Sequence, residues 1–130
     1  MVLTHAAIDS AWAQMRDTDK VHSTPAGKGR FRVLKSMKNE MFVKPVGGRT
    51  KEIEVPRQAF AHALEYLLST YSISEAKPCE IRASLSTPGP LDLCKKLKGQ
   101  MIIQYVLPLL QAAGVVKIDK TTPSAVWVCL

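Results

Sequence analysis

Two groups of residues have the types and spacing to do recognition chemistry. Lys95, Lys96 and Lys98 crowd together just ahead of Gln100 and Gln104, and Lys117 and Lys120 follow further along the chain. Nearer the start, Lys28, Arg30, Arg32 and Lys35 form a second cationic run. Ammonium and guanidinium groups donate to phosphate oxygens, and glutamine can pair bidentately with adenine in a major groove. In such an arrangement the phosphate contacts supply affinity, and the glutamines supply modest sequence preference at most.

Bond-making chemistry has no comparable constellation. The sequence contains no Walker loop, paired-glycine dinucleotide fingerprint, zincin motif or nucleophile elbow. Lys28 stands between Gly27 and Gly29 but lacks the preceding strand and following helix of a phosphate cradle. Glu52 and Glu54 alternate along one strand, whereas a nuclease metal site draws its carboxylates from separate elements. Cys79, Cys94 and Cys129 are odd in number and form no CxxC pair, and His5, His22 and His62 lie far apart. That pattern argues against a disulfide framework or zinc finger. His62 falls off the apolar stripe of its helix and reads as a surface residue. The expectation is a binding module that is not an enzyme and that uses no cofactor or metal.

The charge supports a polyanionic partner. Eighteen Lys and Arg against eleven Asp and Glu give the 130-residue chain a net +7. Between Lys28 and Lys51, eight basic residues face only Glu40, so this stretch alone nets +7. From Lys77 to the end, seven basic residues face three acidic ones, and the remainder is acidic on balance. Clustering of this kind is what a binding face needs and solubility does not. With 46% apolar residues the chain can bury a core, and no apolar run is long enough to span a bilayer. Met1 to His5 lacks the pattern of a secretory signal, so a cytoplasmic location is expected.

Certain elements must position these groups. Ile8, Ala11, Trp12 and Met15 share one helical face, which predicts a helix over 5–15 with Thr4 as its cap. The Gly- and Pro-bearing stretch from Arg16 to Arg30 reads as loop. Phe31 and Val33, Met41-Phe42-Val43, and the alternation of 51–55 predict a three-stranded antiparallel meander carrying most of the basic run. Pro56 opens a helix whose stripe is Phe60, Leu64, Leu67, Leu68 and Tyr71. Cys79 to Leu85 reads as a short strand, 86–90 as a turn, and Leu91 to Leu97 as a short helix. A long helix is expected from Gln100 to Ala113, capped by Gly114 and interrupted by Pro108. The chain ends in a strand, turn and strand. Trp12, Trp127 and the tyrosines read as core, wing or interface anchors, or as a stacking surface for a base.

Leu91-Asp92-Leu93-Cys94-Lys95-Lys96-Leu97-Lys98-Gly99, then Ile102, Tyr105-Val106-Leu107, Leu110 and Ala113-Gly114-Val115-Val116, resemble the winged helix-turn-helix superfamily across 57–129. Tyr105-Val106-Leu107-Pro108-Leu109-Leu110 with Gly114-Val115-Val116 also resembles accessory DNA-binding modules of restriction and other anti-phage systems. The resemblance implies a winged-helix-like half over 56–130, which with the N-terminal helix and β-meander read over 1–55 makes an α+β fold in one compact domain. It implies DNA, with RNA as a variant, contacted by Lys95, Lys96, Lys98, Gln100, Gln104, Lys117 and Lys120. Two features depart from the family. Pro108 sits mid-helix, where it predicts a kink, and the helix start lacks Arg, Ser or Asn, with Met101, Ile103 and Leu107 widening its apolar surface instead. That surface faces either the meander or a second molecule, so a homodimer or protein-interaction module is the alternative.

Overall fold

The computed structural model describes residues 2–15, 21–24, 29–47, 52–81, 96–97, 100–119 and 125–129, and side chains within 6–12, 21–24, 29–47, 52–81, 102–119 and 125–129. Among the described residues the architecture is α+β, with three helices and antiparallel sheets. Helix α1 spans Val2–Met15 and buries Ile8, Ala11 and Trp12. The meander has four strands rather than the expected three: β1 (Val21–Ser23), β2 (Arg30–Ser36), β3 (Glu40–Pro45) and β4 (Ile53–Pro56), paired in that order. The additional strand lies within the stretch read as loop. It is three residues long, too short to show an alternation. Its end is tied to β2 by Thr24 N–H donating to the Gly29 carbonyl at 2.9 Å.

Alternation divides this sheet into two faces. Phe31, Val33, Met41, Val43, Ile53 and Val55 point inward and are buried. Opposite them, helix α2 (Arg57–Ser69) buries Ala59, Phe60, Ala61, Ala63, Leu64 and Leu67. Pro56 occupies its N-cap in extended backbone, one residue before the expected helical position. Tyr71 does not continue the stripe. The helix ends at Ser69, and Tyr71 adopts φ 58° and is 69% exposed. Ser72 N–H donates to the Leu67 carbonyl and Tyr71 N–H to the Leu68 carbonyl, the bond pair of a Schellman termination.

Strand β5 (Cys79–Glu80) follows, then the hairpin β6 (Lys96–Leu97) and β7 (Gln100–Met101). This corrects two expectations: Lys96 and Leu97 are strand and not the end of a helix, and Gln100 and Met101 precede the next helix. The leucine spacing suggested a turn of helix, but Lys98-Gly99 separates two segments that pair Leu97 with Gln100. The expected helix over 91–95 lies outside the described residues.

Helix α3 spans Ile103–Ala112 and buries seven of its ten residues: Ile103, Tyr105, Val106, Leu107, Pro108, Leu109 and Leu110. The wide apolar surface of α3 is therefore consumed inside the chain. Phe31 meets the Tyr105 ring edge-on at 5.1 Å, joining sheet to helix. Gly114 ends α3 with φ +79°, Val115 N–H donating to the Leu110 carbonyl and Gly114 N–H to the Gln111 carbonyl. Strands β8 (Val116–Asp119) and β9 (Ala125–Val128) complete a sheet of order β5-β9-β8. One core cluster runs from Ile8 through Phe31 and Phe60 to Val128.

Candidate nucleic-acid interface

The outer face of the four-stranded sheet gathers cations that are scattered in sequence. Arg30 and Arg32 are exposed on β2 because Phe31 and Val33 between them point inward. Lys44 is exposed on β3 directly opposite Arg32, and Val21 of β1 flanks Arg32 on its other side. Val21, Arg32 and Lys44 therefore form one row across three strands.

The next row depends on an irregularity. Strict alternation would send Lys35 inward with Phe31 and Val33. The β2–β3 register shifts between Val33 and Lys35, leaving Leu34 and Lys35 both exposed and bringing Lys35 opposite Phe42. A bulge re-aims a side chain in this way. The Lys35 Nζ sits over the Phe42 ring, 4.7 Å from its centroid. On the far side of Phe42 stands Glu54 of β4, which bounds the cationic area with a carboxylate. The positive field is thus concentrated on β2 and β3.

The other expected contacts do not join this face or cannot be placed. Lys28, Lys95, Lys98 and Lys120 lie outside the described residues, and Lys96 and Gln100 are described only as members of the β6–β7 ladder. Gln104 is half-buried on α3. Lys117 is exposed on β8, opposite Trp127, in a different sheet from Arg32. Gln111, on the polar stripe of α3, is engaged in the fold: its Oε1 accepts the Ile118 N–H at 2.9 Å. Lys44 and Phe42 were not singled out from sequence as contacts. The alternation of Met41-Phe42-Val43-Lys44 carried the signal, since burying Met41 and Val43 sends Phe42 and Lys44 to the opposite face.

A cleft of about 710 Å³ opens elsewhere, between α1, the β2–β3 turn and the start of α2, lined by Ile8, Asn39, Arg57, Gln58, His62 and Glu65 among others. Its cation is already committed. Arg57 pairs with Asp9, donates to the Lys38 carbonyl at 3.4 Å and lies over the Trp12 ring. The Trp12 indole N–H donates to the Met37 carbonyl at 3.0 Å. His62 shares a 3.2 Å hydrogen bond with Gln58, one turn away on the same helix. This network fastens α1 and α2 to the hairpin. Among the described residues no group of three His, Cys, Asp or Glu side chains could hold a metal ion, and no described helix is long and apolar enough to cross a membrane. Set against known protein families, curated proteins and solved structures, the chain matches none.

Proposed function

We propose that this chain is a nucleic-acid-binding module that holds backbone phosphates on the outer face of its N-terminal sheet. The observation that carries the reading is the row of Arg32 and Lys44, paired across β2 and β3 and both exposed, with Arg30 and Lys35 on the same two strands. Like charges set opposite one another repel, and a bound polyanion relieves that repulsion while releasing its counterions. The elements of 57–129 run α2, β5, β6, β7, α3, β8, β9, and the β6–β7 pair stands where the short helix of the winged-helix reading would end. The burial of α3 favours phosphate contacts over base reading by that helix.

The test is a titration of labelled oligonucleotides at low salt with two triple variants. Arg30→Gln/Arg32→Gln/Lys44→Gln is expected to lose most of the affinity. Lys95→Gln/Lys96→Gln/Lys98→Gln is expected to lose less. If the second variant alone abolishes binding, the interface lies in the C-terminal half. If the wild type binds no oligonucleotide, the reading fails.

A further inference from the structure

We infer that the preferred ligand of the outer sheet face is a single strand, with an unpaired base stacked on Phe42 and the adjoining phosphates held by Arg32, Lys35 and Lys44. This rests on the phosphate-binding reading and goes further, naming the form of the nucleic acid and an aromatic contact.

A major groove about 12 Å wide admits one helix or a two-stranded ribbon. Four strands spaced about 4.8 Å apart span roughly 14 Å between outer axes before side chains are added, so this face cannot enter the groove. Against a duplex it could touch only the ridges of phosphate. A single strand can instead lie along the sheet with its bases turned toward the protein.

A surface serving only phosphates gains nothing from apolar groups, yet Val21 and Leu34 are 43% and 38% exposed beside these cations. Phe42 stands half-buried in the row between Lys35 and Glu54. Its ring is overlaid by the Lys35 ammonium, the tip of a flexible side chain that can swing aside. A base arriving on the ring replaces one π contact with another, and Lys35 is then placed to follow the phosphate. The bulge that turns Lys35 outward creates this pairing of cation and ring.

The test compares a 12-nucleotide oligothymidine, an abasic strand of the same length and a 12-base-pair duplex, by fluorescence anisotropy at one salt concentration. The protein is wild type, Phe42→Leu or Phe42→Tyr. Stacking predicts that oligothymidine binds about tenfold tighter than the abasic strand, and tighter than the duplex. It predicts that Phe42→Leu loses about that factor on oligothymidine alone, and that Phe42→Tyr keeps it. Equal affinity for oligothymidine and the abasic strand, or tighter binding of the duplex, overturns the inference and leaves phosphate binding standing. The abasic comparison needs no variant, so it decides even if Phe42→Leu misfolds. Failure of all three ligands to bind removes both readings together.

Discussion

Arg32 and Lys44 are direct cross-strand partners on the solvent side of the β2–β3 ladder. Placing two cations there costs stability, and under the proposed function a bound polyanion would relieve that cost. Replacing one partner by an acid should therefore stabilise the free protein and weaken its binding. Lys44→Glu is expected to gain about 0.5 kcal/mol in urea denaturation at low salt, less at high salt, while affinity for oligonucleotides falls. A loss of stability would show that the two side chains do not repel each other.

Tyr71 and Gly114 occupy the same position in two helix terminations, the left-handed residue that closes a Schellman motif, with φ 58° and +79°. Glycine accepts that conformation and tyrosine is strained in it. Tyr71→Gly should stabilise by about 1 kcal/mol and Gly114→Ala should destabilise by about the same amount, measured by thermal or chemical unfolding. Among the described residues, no atom beyond Gly114 and its chain neighbours lies within 4 Å of where the new Cβ would sit, so the loss there is a backbone effect. The Tyr71 ring lies under Lys77 Nζ at 5.5 Å, and removing that contact offsets part of the gain.

Phe31 connects the two regions of the chain. It is fully buried, stacks on His22 at 5.4 Å and meets Tyr105 of α3 edge-on. Phe31→Ala should cost about 3–5 kcal/mol, and far-ultraviolet and tryptophan signals should still change in one transition. Two separated transitions would mean that the meander and the C-terminal elements hold together independently.

Much of this organisation is legible in the sequence, and the misses have particular causes. Gly114 reads as a helix stop because its left-handed need is a property of the residue itself. The inward set Phe31, Val33, Met41, Val43 and Val55 follows from alternation. Lys35 could not be assigned to a face by alternation, because a bulge resets the parity after Val33. Val21–Ser23 and Lys96–Leu97 are strands too short to carry a period, and they form by pairing with neighbours. Tyr71 fits the helical stripe, yet the chain turns at Thr70, whose hydroxyl donates to the Tyr66 carbonyl at 3.0 Å. The wide apolar surface of α3 was visible as composition, but its partners lie in α1, α2, β1 and β8, which no local pattern specifies.

The central claim is that phosphates bind on the β2–β3 face, and its most direct measurement is the salt dependence of affinity. Dissociation constants for oligothymidine, taken from low to physiological salt, give a slope of log affinity against log salt for the wild type, Arg32→Gln and Lys44→Gln. The account predicts a steep slope for the wild type and a reduction of about 0.7 for each variant, one released counterion per cation lost. An unchanged slope in both variants, or an affinity indifferent to salt, would contradict it.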